Sequence, residues 1–300
     1  MRHVLLGLCC LAAFVPAAAQ DLRLPVKAQS VKFAVIGDAG TGGDHQRAVA
    51  DQLTAWRDRF PFEFVVMVGD NMYGSDKPQD YVRKFEQPYK TLLDAGVKFY
   101  ASLGNHDNPN QRFYKPFNMN GERFYSFKPS LAGGVRFFAL DSTYMTPEQV
   151  AWLDKELKSS GSDWKIALFH HPLYSSGDRH GSVLTLREQL EPTFVAHGVN
   201  VVLTGHDHFY ERVKPQKGIA YFVVGSSAKL RRGDNTSELT AKSYDDGYAF
   251  MLVEVEGDNF HFQAINERGQ TVDSGVVRKD AVTNKVIGTG QAPRRSPDPR

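Results

Sequence analysis

Short apolar blocks, most of them closed by a glycine and then a polar side chain, recur along this chain at 31–36, 63–68, 97–103, 135–140, 164–169, 199–203 and 219–225. An apolar run of that length bounded by turn signals predicts a strand buried on both faces. Between the blocks the period changes. Val49, Leu53 and Trp56 follow helical spacing behind Asp44, expected as the helix cap, until Phe60-Pro61 stops the pattern. Further helices are predicted over 79–93, bent by Pro88, and over 147–157 and 183–197. Strands separated by helices imply a largely parallel sheet, whose ligands gather beyond the carboxyl ends of its strands. After Gly247 the pattern turns to alternation over 248–256, 259–266 and 270–277 without helices, predicting antiparallel hairpins that complete a second sheet. The fold class is α/β.

The ends differ from this pattern. Arg2 and His3 precede an apolar segment from Val4 to Val15, and Ala17-Ala18-Ala19 supplies an Ala-x-Ala site, so 1–19 reads as a secretory signal peptide cleaved near Ala19. A tail from Thr289, rich in proline and arginine, is expected to be disordered over 289–300. That leaves 20–288 as a single domain, and 300 residues with 41% hydrophobic content can bury a large core. Cys9 and Cys10 both fall in the leader, so the mature chain has no thiol for a disulfide or a sulfur-bound metal. His, Asp, Asn and Tyr remain as possible ligands. The net charge of +2, with 36 basic and 34 acidic residues spread along the chain, argues against a nucleic-acid partner. No later stretch is long and apolar enough to span a bilayer, so the expectation is a periplasmic or secreted protein without membrane contact once the leader is removed.

The candidate chemistry sits at the strand ends. The glycine-rich turn 37–43 is not a dinucleotide fingerprint, because His45 stands where the third glycine would be. Instead Asp38, Asp70, Tyr73, Asn105, His170, His206 and His208 supply seven oxygen and nitrogen donors from five strand ends. That set is too large for one ion and suits two ions sharing a bridging carboxylate, about 3.5–4 Å apart in two-metal hydrolases. His206 and His208, one residue apart, point in opposite directions if the backbone stays extended, which suits two different ions. Asp141 lacks the preceding glycine and reads as a capping or hydrogen-bonding carboxylate. His171 reads as a support for its neighbour, Asp107 as orienting His106 or capping a turn, and Asp207 as a turn residue. His45, His197 and His261 lie outside every motif, and Lys229, Arg231 and Arg232, in the loop 226–246, could hold a substrate phosphate but read rather as solvated.

The segments Gly37-Asp38-Ala39-Gly40, Gly69-Asp70-Asn71-Met72-Tyr73, Gly104-Asn105-His106-Asp107, His170-His171-Pro172 and Gly205-His206-Asp207-His208 resemble the five ordered motifs of the calcineurin-like metallophosphoesterase superfamily. The tyrosine three residues after Asp70 is similar to the purple acid phosphatase branch, and the size to its small, tartrate-resistant form. The resemblance implies a four-layer β-sandwich of two mixed sheets flanked by helices. It implies one ion on Asp38, Tyr73 and His208, a second on Asn105, His170 and His206, and Asp70 bridging them, with Fe³⁺ in the first position and iron, zinc or manganese in the second. Tyr73 is the weakest of these, since a tyrosine here can simply pack. Asp38, Asp70 and a Tyr73 phenolate carry three negative charges against five on such a pair, leaving a positive site for a phosphate ester, attacked in line by a metal-held hydroxide. By the same resemblance His106 and His180 contact substrate or protonate the leaving group. The implied activity is phosphate-monoester hydrolysis on a small-molecule ester, with no protein partner expected. A phosphodiester, nucleotide or pyrophosphate hydrolase is the alternative, and a non-catalytic binding module on the same fold a distant third. Tyr210, Glu211 and Arg212 resemble a continuation found in plant members, expected to pair and pack locally.

Overall fold

The computed structural model describes residues 21–129, 134–161, 163–233 and 235–290; the expected leader 1–19 and most of the expected tail lie outside them. The strands are β1 (Val31–Ile36), β2 (Phe64–Val68), β3 (Lys98–Ser102), β4 (Tyr125–Phe127), β5 (Val135–Ala139), β6 (Trp164–Leu168), β7 (Val201–Thr204), β8 (Tyr210–Gln216), β9 (Ile219–Val224), β10 (Thr240–Tyr244), β11 (Ala249–Glu256), β12 (Asn259–Asn266), β13 (Thr271–Lys279) and β14 (Val286–Gly290). The helices are α1 (Asp44–Arg57), α2 (Pro78–Tyr81), α3 (Lys90–Asp94), α4 (Pro147–Lys158) and α5 (Leu184–Ala196). Two seven-stranded sheets result, ordered β14-β13-β12-β11-β1-β2-β3 and β10-β8-β9-β7-β6-β5-β4. Within each, the strands that carry the candidate motifs run parallel: β1, β2 and β3 in the first, β5, β6, β7 and β9 in the second.

Alternation along the strands explains the layering. Phe137, Ile166, Leu168, Val201 and Leu203 point into a large core between the sheets, while Phe138, Ala167, Phe169 and Val202 point the other way into a smaller core beneath α4 and α5. Both faces of β5, β6 and β7 are therefore buried, which is why their sequences read as unbroken apolar runs. Phe33 of β1 stacks on Phe64 at 5.3 Å and meets Phe137 of the opposite sheet edge-on at 5.1 Å, so one ring joins the two sheets. Over the first sheet lie Val49, Ala50, Leu53 and Trp56, the buried face of α1. The helix, sheet, sheet, helix order matches the four-layer expectation.

Four details depart from the pattern reading. The hairpins do not complete the second sheet; β11 pairs antiparallel with β1 and extends the first. The edge of β1 opposite β2 needs a partner, and β11, buried along nearly its whole length, satisfies it. The helix expected over 79–93 is broken into α2, a wide turn over Val82–Glu86 and α3. Pro88 has no N–H to give the Lys84 carbonyl, which accepts from Gln46 Nε2 at 2.5 Å instead. Asp44 lies in the first turn of α1 rather than capping it; Gly43 is the cap residue. Thr289, expected in the tail, belongs to β14, which pairs with β13 through Gly290. Among the described residues no helix is long and apolar enough to cross a membrane.

Because Phe33 is fully buried between the sheets, Phe33→Ala is expected to lower unfolding free energy in urea by about 3–5 kcal/mol. Phe113, 61% exposed on the rim, should change it by less than about 0.5 kcal/mol when replaced by alanine. Equal costs at the two positions would contradict this account of the core.

Candidate metal centre

The turns after β1, β2, β3, β6 and β7 converge at one end of the sandwich. Single carboxylate oxygens of Asp38 and Asp70 and a ring nitrogen of His208 all lie within 4.8 Å of one another. Around them Tyr73 Oη stands 2.9 Å from Asp38 Oδ1 and 3.3 Å from His208 Nε2. On the other side of Asp70, His170 Nε2 lies 3.4 Å from Asp70 Oδ1, 3.0 Å from Asn105 Oδ1 and 3.2 Å from His206 Nδ1. The other six donors thus fall into two groups of three on either side of Asp70. His170 Nδ1 faces the Val68 carbonyl at 3.0 Å, so that nitrogen carries the proton and the Nε2 lone pair points into the cluster.

The backbone is strained to achieve this. Asp38, Asp70 and His206 have φ of 55°, 52° and 71°, left-handed conformations that cost a residue with a Cβ about 1–2 kcal/mol each. Each is held by neighbouring turns: Asp38 donates its N–H to the Gly69 carbonyl, His206 N–H donates to Asp38 Oδ2, and His106 N–H to Asp70 Oδ1. The glycines that precede the motifs are required by close approach. A Cβ on Gly104 would stand 2.2 Å from Asp70 Oδ1, and one on Gly205 2.5 Å from Asp38 Oδ2.

Electrostatics asks for cations. Burial and the Asp70 charge push the Asp38 carboxyl well above its ordinary range. Burial, and then Asp38 and Asp70, raise the Tyr73 phenol strongly, so the surrounding protein alone keeps it protonated. Burial and the neighbouring imidazoles hold His170 far down and His206 at about 2, while burial and then the charge of Arg231 hold His208 at about 4, so all three stay neutral. Buried carboxylates beside neutral imidazoles with inward lone pairs are a donor set that fits bound metal ions, which would reverse the penalties on Asp38 and Tyr73.

All seven residues singled out as ligands meet here, and so do the two histidines. The His106 ring centroid lies 4.9 Å from that of Tyr73, and the His180 ring 4.2 Å from His206. His206 and His208 do diverge, but through the left-handed turn at His206 and not through an extended backbone. His171 packs its ring 4.4 Å from His206 and pairs with Ser142 Oγ at 2.9 Å. Asp141 accepts from the N–H groups of Thr143 and Tyr144 and pairs with Arg123. Of the two roles open to Asp107, the structure shows the cap: it accepts from the backbone of Asn71, Met72 and Gly104. Burial and the nearby Asp70 push its carboxyl up to about 7 against the pull of those donors. His45 stacks on Tyr248, His197 pairs with Asp154 and His261 with Glu256, all outside the cluster. Arg212 and Tyr210 both bind Asp273.

Two readings need correction. Asp207 is more than a turn residue: it accepts from Ser175 Oγ at 2.5 Å and Gly181 N at 3.1 Å, and with Glu211, which accepts from Ser176, it anchors the loop that carries His180. Lys229 and Arg231 are not solvated bystanders. Lys229 Nζ lies 4.5 Å from the centroid of the Tyr73 ring, and Arg231 N–H donates to the His208 carbonyl. Their position after β9, another parallel strand, closed by Gly225, was the signal in the sequence that favoured the other reading.

The family model described as calcineurin-like phosphoesterase matches residues 31–210. Purple acid phosphatase 17 of Arabidopsis thaliana is 28% identical over 93% of this chain and 95% of its own length. Two solved structures share the fold at 18% identity. GAP50, the anchor in the inner membrane complex of Plasmodium, matches 85% of this chain and 90% of its own with a TM-score of 0.75. A purple acid phosphatase from yellow lupin seeds matches 86% of this chain but 55% of its own, with a TM-score of 0.69. A dinuclear metal centre at the convergent strand ends is what this kinship entails, and the chain belongs to the calcineurin-like phosphoesterase family, on its purple acid phosphatase branch.

Proposed function

We propose that this protein is an acid phosphatase that hydrolyses phosphate monoesters with two metal ions, one held by Asp38, Tyr73 and His208, the other by Asn105, His170 and His206, with Asp70 between them. The observation that carries this is the division of the other six donors into two groups of three around Asp70. Fe³⁺ is proposed in the tyrosine-bearing position and Fe²⁺, Zn²⁺ or Mn²⁺ in the other, and 1–19 as a leader that directs the chain out of the cytoplasm, leaving 20–288, which β14 extends to Gly290, as the domain. When bound, the ions lower the pKa of coordinated water and offset negative charge on the phosphoryl oxygens.

The chain's own residues supply the rest. His106, exposed at the mouth with its N–H bonded to Asp70, offers its ring to the leaving oxygen and hands over a proton as the ester bond breaks. His180, its ring 4.2 Å from that of His206 and its loop kept in place by Asp207 and Glu211, orients the phosphate. Ser142 Oγ accepts from the N–H groups of His170 and His171 and so fixes the turn that aims His170.

Three measurements test this reading. A phosphomonoester and a phosphodiester assayed side by side from acid to alkaline pH, with metal content determined, should show monoester turnover peaking in acid and reduced at least about 100-fold in His206→Ala. Diester preference with an alkaline optimum would replace it with a phosphodiesterase, and inertness of the fully metal-loaded protein towards both would favour a binding role. The iron-loaded protein should absorb in the visible through tyrosinate charge transfer and bleach in Tyr73→Phe; a colourless iron-loaded wild type rejects Tyr73 as a ligand. His106→Asn should slow alkyl phosphates by about 100-fold while slowing 4-nitrophenyl phosphate much less, because a good leaving group needs no proton. Equal slowing of both substrates would remove His106 from the acid role.

A further inference from the structure

The turn that follows β9 is pinned at both ends to turns that carry the metal donors. Ser227 N–H donates to the Gly37 carbonyl at 3.1 Å, and Ser227 Oγ accepts from Gly37 N–H at 3.2 Å and donates to the Ala249 carbonyl at 2.9 Å. Ser226 and Ser227 are both fully buried. Four residues on, Arg231 N–H donates to the His208 carbonyl at 2.9 Å. Lys229 stands midway between these two anchors, so the backbone fixes where its side chain starts. Its Nζ lies 4.5 Å from the centroid of the Tyr73 ring, within the roughly 6 Å over which a cation is drawn to an aromatic face. Lys229 is half-buried and makes no ion pair among the described residues. Its neighbour Arg232 behaves differently: it is exposed and donates to the Asp246 carbonyl.

The hydroxyl end of Tyr73 is turned into the cluster, 2.9 Å from Asp38 Oδ1 and 3.3 Å from His208 Nε2, while Lys229 covers its ring. An ammonium resting on a ring attracts the π electrons, and the attraction grows when the ring carries a phenolate charge. We propose that Lys229 acts through Tyr73 as a positioning residue of the metal centre: its charge on the ring holds back electrons that the phenolate would otherwise give to Fe³⁺. The inference rests on the proposed iron at Tyr73 and goes beyond it by assigning a part to a residue that binds neither ion nor substrate. The colour of such a centre comes from one electron that passes from phenolate to Fe³⁺ on excitation and returns on decay, with no net oxidation. Lys229 lowers the filled orbitals of the ring and so raises the energy of that transition. A phenolate that donates less also leaves its ion a stronger Lewis acid. A lysine that only packed against the ring would set neither property, and an apolar side chain of similar length would replace it without effect.

Visible spectra of the iron-loaded protein, recorded without substrate and at matched iron content, test this by a readout that turnover does not set. The absorption maximum should keep its place in Lys229→Arg, move to longer wavelength in Lys229→Met and move further in Lys229→Glu, while Arg232→Gln leaves it unchanged. The first two substitutions decide the matter even where the third does not fold. In turnover, Lys229→Met should lower kcat for phenyl phosphate about two- to fivefold with KM unchanged, the worth of one cation on an aromatic face. A coloured wild type whose band stays in place in Lys229→Met overturns the proposal and leaves the hydrolase reading standing. An unmoved band with a raised KM overturns it too, by assigning Lys229 to the substrate. A colourless iron-loaded wild type removes Tyr73 as a ligand and overturns the metal assignment together with the proposal.

Discussion

Two carboxylates, Asp38 and Asp70, are buried so close together that a single ring nitrogen of His208 lies within 4.8 Å of an oxygen from each. Like charges in a dry pocket repel, and burial removes the water that would otherwise screen them. The surrounding groups do not relieve this: the histidines are held neutral and the tyrosine protonated. A proton taken up by Asp38 would relieve the conflict at the loss of a charged donor, whereas cations held between the donors relieve it with both carboxylates ionised. The centre is therefore built around cations, and the strained turns that hold its ligands make sense as the means of keeping donors in place before the cations arrive.

That preorganisation is distributed over residues that touch no substrate. Asp107 gathers the N–H groups of the turns after β2 and β3 and so ties Asp70 and Asn105 to one another. Ser142, from the turn after β5, braces the backbone of His170 and His171. Asp207 and Glu211, on either side of His208 in the chain, hold the loop of His180. Each donor group thus rests on a turn from a different strand, so a shift of one motif is resisted by its neighbour. A rigid sandwich joined by rings such as Phe33 gives all of these turns a common base.

The positive side of the balance continues beyond the ligands. Lys229 and Arg231 approach from the turn after β9, where no metal donor stands, and meet the cluster at Tyr73 and His208. The end of the second sheet therefore contributes both donors, from β6 and β7, and cations, from β9. A phosphate ester entering between them meets a field arranged on more than one side.

How much of this was legible along the chain depends on range. The strands, their parallel core and the donors at their ends are written in local pattern, because an apolar run needs burial and a glycine before a polar side chain marks a turn that must pass another chain segment closely. The seven donors, with His106 and His180, could be named from those motifs. The partner of β11, the break at Val82–Glu86, the left-handed conformation of Asp38, Asp70 and His206, and the anchoring role of Asp207 could not. Each depends on what another segment offers: a free strand edge, a rival donor for a carbonyl, or a neighbouring turn that offsets strain. Lys229 and Arg231 belong with these, since a lysine or arginine in a polar loop looks the same in sequence whether it faces solvent or a metal cluster. Sequence by itself determined which side chains could do the chemistry; tertiary packing decided which backbone conformations and which remote charges surround them, because those are set by contacts between residues far apart in the chain.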